Sequence, residues 1–268
     1  MTVENYEIFA IKYAEHADRK RVENFLLDDD HDAPGPLDFV LWVIRNEHRT
    51  IVVDTGFDET ESRNRGRELI RSPTEALAVV GVEAASVDTV VITHLHFDHA
   101  GSMGAFGKAR FHLQAAEMAF ATGPCMCHGL FREAYSAEHV CAMVRNVYSG
   151  RVMFHDGDGA VAPGVTVHKI GGHTRGVQSV RVMTGTGPVV LASDGSHYYE
   201  NFETRKVFPT VIDVEDSLKG YARLEDLAGS RRRVVPGHDP LVFKRYPAMN
   251  ASTQGVAHRL DVDRLDPA

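Results

Sequence analysis

Cysteine is scarce: three in 268 residues, too few for a disulfide framework and in keeping with a reducing cytoplasm. Positive charge is in deficit, with 29 Lys and Arg against 37 Asp and Glu and a net charge of −8. A nucleic-acid binder needs a basic face to displace counterions from phosphates, so this balance argues against one. Long apolar runs are also missing. The densest, over 39–44, has six residues, whereas a bilayer crossing needs about 20. The first twenty residues show no basic segment leading into an apolar stretch, so no secretory leader is expected. No repeat and no low-complexity linker divides the chain. The expectation is a soluble, cytoplasmic, single-domain protein over 1–268, with neither nucleic acid nor membrane as partner.

What is present is enough to build a core. Hydrophobic residues make up 43% and charged residues 25%, which excludes wholesale disorder. The count that stands out is 15 His. Short runs rich in β-branched and aromatic residues, ended by Gly, Pro or Asp, recur at 39–44, 50–53, 89–93, 110–113, 152–154, 165–170, 179–183, 189–192 and 233–235. That is the strand signature. Helical patterns lie between some of them. One opens at Pro73 with Ser72 as N-cap and stops at Gly81; others cover 114–121 and 214–227. Interleaved strands and helices predict an α/β layered domain with helices outside. The acidic stretch 28–36 lacks the central Gly and terminal Glu of a calcium loop and reads as a solvated loop.

One segment dominates the chemistry: Thr93-His94-Leu95-His96-Phe97-Asp98-His99-Ala100-Gly101. Four candidate metal ligands lie within six residues, directly after the apolar strand that ends near Ile92. A strand end feeding a loop presents ligands from a rigid scaffold while leaving room for substrate. Imidazole and carboxylate suit zinc, with manganese, iron, cobalt and nickel also open from ligand type. His94 and His96, two apart, point to one side of an extended backbone. Asp98 and His99 follow as the chain turns and can face a second metal. The Cys125-Met126-Cys127-His128 run is too tightly spaced for a structural zinc site and has no second Cys pair after it, so a structural or pocket-wall role is expected.

The His94–His99 run resembles the signature of the metallo-β-lactamase superfamily, and with Ala100-Gly101 it is most similar to the N-acyl-homoserine lactonase, or quorum-quenching, branch. Further resemblances occur in order: Asp54-Thr55-Gly56, Gly172-His173-Thr174-Arg175-Gly176, Ser193-Asp194-Gly195 and Pro236-Gly237-His238-Asp239. The resemblance implies an αββα sandwich whose core spans about 37–240; the stretch 118–148, rich in Met, Phe, Tyr and Cys, reads as an inserted helical segment walling the site. The resemblance also implies two Zn2+ per chain: His94, His96 and His173 on the first, Asp98, His99 and His238 on the second, Asp194 bridging. Two carboxylates and one hydroxide would offset most of the charge of two divalent ions, and a hydroxide between two cations forms near neutral pH. Asp54 reads as the residue that accepts an N–H from a ligating histidine and fixes its tautomer.

The expected reaction is opening of a lactone ring, an N-acyl-homoserine lactone or a similar small lactone, by the metal-bridging hydroxide. Asp98 would also pass a proton to the leaving alkoxide. Phe97 and Tyr198 are expected against the substrate. The pattern departs from the lactonases at one place. They usually carry a Tyr three residues after the bridging Asp; here that position is His197, followed by Tyr198 and Tyr199. His197 is therefore expected as donor to the carbonyl oxygen, with Tyr198 or Tyr199 as alternatives. Its ordinary pKa of about 6.5 predicts a pH-sensitive donor. Other readings are hydrolysis of another cyclic ester or cyclic amide in a catabolic pathway, or a non-hydrolytic metal-binding member of the superfamily. A homodimer is left open.

Overall fold

Glu7–His16 shows how the layers arise. Phe9, Ile11 and Tyr13 face one way, Ile8 and Ala10 the other, and all are buried. Leu37–Arg45 repeats the pattern, with Leu41 and Val43 opposite Val40, Trp42 and Ile44. A strand buried on both faces belongs to a sheet covered on both sides. The computed structural model describes residues 4–28 and 31–265. In chain order its strands are β1 (Glu7–His16), β2 (Leu37–Arg45), β3 (Thr50–Val53), β4 (Glu68–Leu69), β5 (Thr89–Val91), β6 (Arg110–Gln114) and β7 (Val152–His155). They continue as β8 (Gly159–Ala162), β9 (Val165–Lys169), β10 (Gln178–Thr184), β11 (Gly187–Ser193), β12 (Val234–Pro236) and β13 (Ala257–Arg259). The helices are α1 (Glu59–Arg65), α2 (Pro73–Val79), α3 (Ala115–Ala121), α4 (Gly129–Arg132), α5 (Ala137–Tyr148), α6 (Tyr199–Thr204), α7 (Val214–Ala228) and α8 (Val242–Arg245).

The first sheet runs β13-β1-β2-β3-β5-β6-β7, with β4 on β1; the second runs β12-β11-β10-β9-β8. One core lies between the sheets, where Ala10, Trp42, Val53 and Val91 meet Val167, Val180 and Leu191, and it continues under α7 through Tyr221 and Leu224. The other fills the outer face of the first sheet, where Leu41, Val52, Val90 and Phe111 meet Leu77 of α2, Phe120 of α3 and Met143 of α5. The result is an αββα sandwich, a single α/β domain. No helix among the described residues is long and apolar enough to cross a membrane.

Local signals account for several boundaries. Ser72 accepts from the Glu75 backbone while the Glu75 side chain reaches back, a capping box with Pro73 at the first position. Asp213 caps α7, and Gly229 in the left-handed region ends it. Four strands fall outside the sequence reading: β1, β4, β8 and β13. β1 carries Lys12 in its middle, and that charge is neutralised by Asp38 at 2.7 Å. Within the acidic stretch, Asp29 and Asp30 lie outside the described residues; the rest is irregular apart from the bridge between Lys20 and Pro34.

Candidate metal centre

Five connections leave one edge of the sandwich from the carboxyl ends of strands: after β3 (Asp54), β5 (His94 to His99), β9 (His173), β11 (Asp194) and β12 (His238). Their side chains converge. His94, His96, His173 and Asp194 offer donor atoms within 4.8 Å of one another, and so do Asp98, His99 and His238. A third such group joins Asp194, His197 and His238. Asp194 stands between the histidines with one oxygen to each side. Its Oδ2 lies 3.0 Å from His173 Nε2 and 3.7 Å from His94 Nε2; its Oδ1 lies 2.9 Å from His238 Nε2 and 3.2 Å from His99 Nε2.

Three of the rings are oriented from behind. His173 Nδ1 donates to the Thr210 carbonyl at 2.6 Å and His238 Nδ1 to that of Asp38 at 2.8 Å, which turns both Nε2 atoms inward. Asp54 is fully buried, with φ +64°. Its carboxylate accepts from Thr93 N at 2.7 Å and Thr93 Oγ1 at 2.9 Å, and lies 2.8 Å from His99 Nδ1. An aspartate tolerates the left-handed region, and here three contacts hold it there. Ser193, also at positive φ, donates to Thr93 Oγ1 at 2.8 Å and so ties the two sheets together at the site.

A residue outside the motifs organises the other side. Glu117 of α3 has no exposed surface, and its two oxygens accept four hydrogen bonds. They come from Leu95 N (3.0 Å), Tyr135 Oη (2.9 Å), Thr174 Oγ1 (2.6 Å) and Gly176 N (3.1 Å). One carboxylate thus clamps the loop of His94 and His96 to the loop of His173, and it also fixes Tyr135, whose ring packs edge-on against His96 at 4.6 Å. Gly176 is required for the approach, because a Cβ there would stand 2.3 Å from Glu117 N. Glutamate in an Ala- and Met-rich helical run looks like an ordinary solvent-facing residue. The only sequence signal is its position directly after a strand.

Electrostatics in the cluster follow from burial and pairing. Burial opposes charge on Asp98 and Asp194, yet His99 and His238, with His197 beside Asp194, outweigh it and hold both carboxyls below the usual range. Burial likewise opposes charge on His99 and His238, but Asp98 and Asp194 raise the former and Asp194 the latter. Burial wins at His94 and His96, which are pushed well down, and at His197, pushed down to about 3. His197 therefore stays neutral through the physiological range, which corrects the expectation of a pH-sensitive imidazole.

The three residues after the Asp194 turn have different surroundings. His197 Nε2 is 2.9 Å from Asp194 Oδ2, and its ring stacks on Phe208 at 3.5 Å. Tyr198 turns away, its hydroxyl donating to the Pro36 carbonyl at 3.2 Å and its ring between Phe25 and Phe208. Tyr199 is sunk in the inter-sheet core. Of the three, only His197 touches the cluster. Phe97 packs on Phe57 and Phe39 beneath the Arg65 guanidinium. A cavity of about 430 Å3 opens beyond Tyr198, lined by Phe25, Pro36, Glu200, Asp239 and Leu241; none of the seven converging His and Asp side chains lines it. Cys125, Cys127 and Cys141 are unpaired; the first two sit in a short 3-10 turn, and none joins the converging donor groups.

The donor set fits divalent metal ions. Seven N and O donors are gathered without a Lys or Arg among them, and the Nε2 atoms of His94 and His99 are buried with no hydrogen-bond partner. Orphaned buried nitrogens facing carboxylate oxygens are costly unless a cation joins them. An αββα sandwich with such a cluster on its strand-end edge is the architecture of a metallo-hydrolase.

The chain belongs to the metallo-beta-lactamase superfamily, which it matches over residues 40–238. It is 31% identical over 225 residues to an N-acyl homoserine lactonase of Bacillus sp, covering 77% of this chain and 84% of that one. It superposes with a TM-score of 0.71 and 26% identity on an N-acyl homoserine lactone hydrolase solved with the product N-hexanoyl-L-homoserine at its catalytic metal centre, covering 89% and 94% of the two chains. A probable metal-dependent hydrolase from Staphylococcus aureus shares the fold over 99% and 97% of the chains, with a TM-score of 0.75 at 16% identity.

Proposed function

We propose that the protein is a dinuclear zinc hydrolase that opens the ring of a small lactone in the cytoplasm. The observation that carries this reading is the position of Asp194, one oxygen toward His94 and His173 and the other toward His99 and His238. One carboxylate shared between two imidazole groups suits a pair of cations about one carboxylate apart. The kinship with lactonases supplies the reaction class. His94, His96 and His173 would hold one ion, Asp98, His99 and His238 the other, and Asp194 both. Bound there, two divalent ions lower the pKa of water and polarise a carbonyl.

The chain's own residues do the rest. Asp98 is nine-tenths buried, and the Tyr13 hydroxyl anchors its backbone carbonyl at 3.0 Å. Its carboxylate is placed to carry a proton to the leaving alkoxide. His197, flat against Phe208, presents Nε2 to the space between the candidate ligands and donates to the carbonyl oxygen as charge develops. Phe97 would wall the approach, with Tyr198 further out, behind Phe208. Three unpaired cysteines accord with the reducing compartment.

The test is a panel of γ-lactones, cyclic amides, thioesters and phosphodiesters offered to the zinc-loaded protein, with bound metal measured in parallel. Selective turnover of lactones is the expected outcome. Turnover of thioesters or phosphodiesters with lactones untouched would overturn the lactone assignment.

A further inference from the structure

The rim beside Asp98 is unusually basic for a site that would receive an uncharged acyl chain. Arg19 follows the end of β1, and Arg67 lies in the turn between α1 and β4. Because β4 pairs with β1 through Ala14↔Leu69 and Glu15↔Glu68, the two come together at one corner, with His16 beside them. The Arg19 guanidinium stands 5.3 Å over Phe208, the ring that stacks on His197. Arg67 donates to the Arg65 carbonyl at 2.9 Å, and the Arg65 guanidinium covers Phe97 at 4.1 Å, one residue before Asp98. Arg19 thus lies over a ring that borders the centre, and Arg67 stands behind the arginine that covers another.

Neither has an acidic partner in contact. Arg19 donates to the side-chain oxygen of Asn24 and to the Glu23 carbonyl, and Arg67 to the Arg65 carbonyl; no carboxylate lies within 4 Å of either among the described residues. Arg65, by contrast, is paired with Glu61 at 2.6 Å. His16 Nδ1 is buried without a hydrogen-bond partner. The acids that face this corner are Glu23, Asp18 and Asp98. Glu23 is exposed and engaged with the Lys20 backbone at 2.8 Å, and Asp98 is already held by His99 and His238. Burial and mutual repulsion work against the charge on Arg67, and burial works against that on Arg19. Two half-buried like charges are tolerated best where an anion completes the arrangement.

We propose that Arg19, Arg67 and His16 form an anion subsite at the mouth of the centre, and that the substrate is a lactone bearing a carboxylate remote from its ring. This rests on the lactone-opening reading and narrows it. A planar guanidinium pair recognises a carboxylate by charge-assisted hydrogen bonds, whereas a neutral acyl tail calls for an apolar lining. The arginines act on binding and selectivity; they do not touch the reacting carbonyl.

The test uses N-succinyl- and N-adipoyl-homoserine lactone, each against its terminal amide, which differ in charge alone. Within one preparation of zinc-loaded enzyme, the acid-to-amide ratio of kcat/KM is insensitive to the folded fraction. The expected ratio is about tenfold or more for at least one spacer, carried by KM and shrinking as salt rises. It falls to near one in Arg19→Gln/Arg67→Gln and is largely kept in Arg19→Lys/Arg67→Lys, which retains the charges if the glutamine pair folds poorly. A wild-type ratio at or below one for both spacers, or one unmoved by the glutamine pair, overturns the subsite. Should no lactone be opened, the lactone reading fails by itself. Calorimetry with ring-opened N-succinyl-homoserine and its amide then decides: tighter acid binding lost in the glutamine pair upholds the subsite, and equal binding rejects it.

Discussion

The first sheet delivers four of the converging side chains in one run, His94 to His99; the second delivers three from three separate loops, at His173, Asp194 and His238. Their supports differ in kind. Behind the run, Asp54 and Thr93 hold His99 from within the same sheet. The dispersed residues depend on long-range ties: Thr210 and Asp38 carbonyls behind His173 and His238, and the Glu117 carboxylate across both loops. A compact run can be placed by one strand end, whereas scattered residues need a clamp from elsewhere in the fold. The two regions meet at Asp194.

Substitutions that strike the shared chemistry should not distinguish the regions. Asp98→Asn keeps volume but removes a carboxylate and the proposed proton carrier, so turnover should fall about 10²–10⁴-fold with the chain still folded. Steady-state kinetics beside circular dichroism will show this, and near wild-type turnover would remove Asp98 from the reaction. Next in size is His197→Ala, with a loss of about 10²–10³ in kcat and a smaller change in KM, while Tyr198→Phe, whose hydroxyl is spent on Pro36, stays close to wild type. If Tyr198→Phe is the crippled variant, the donor has been misassigned.

The clamps should separate the regions. Losing a group that orients a ligand typically lowers metal affinity about 10–100-fold. Glu117→Gln turns an N–H toward donors that need an acceptor, so it should weaken chiefly the ion assigned to His94, His96 and His173. Asp54→Asn should weaken chiefly the one assigned to His99. Chelator competition that resolves two affinities measures both. Equal effects on both ions from either variant would dissolve the distinction between the regions.

Legibility in the sequence follows the same division. His94, His96, Asp98 and His99 stand out because local spacing alone brings four donors together, directly after a short apolar, β-branched run. Asp194 and His238 look like ordinary turn residues by themselves and gain meaning only from their order in the family pattern. Glu117 and Tyr135 leave no such trace: their role exists only once α3, α4 and the two loops are packed. β1 escaped for a related reason, since Lys12 breaks its apolar run and is neutralised by Glu15 of the same strand and Asp38 of the neighbouring one. The alternatives after Asp194 needed backbone direction, which sends His197 inward, Tyr198 toward Pro36 and Tyr199 into the core.

The smallest expected effect is on stability without metal. His94, His96 and His197 hold pKa values below the ordinary range of about 6.5, His197 at about 3. As pH falls below about 6.5, the unfolded chain takes up protons that these rings refuse, and stability drops. His99 and His238 are raised, so their contribution is complete below about 6.5 and is lost as pH climbs through their raised values. Thermal melts of chelator-treated protein should therefore peak near the ordinary histidine range. A melting temperature that rises steadily from acid to alkaline pH would contradict the balance drawn between the two sets of rings.

Stepwise addition of zinc to metal-free protein, with bound metal and γ-lactone turnover followed in the same samples, tests the meeting of the two regions at Asp194 most directly. The account predicts that activity appears as the second equivalent binds and levels off at two ions per chain. Full activity at one equivalent, or in the metal-free chain, would contradict it.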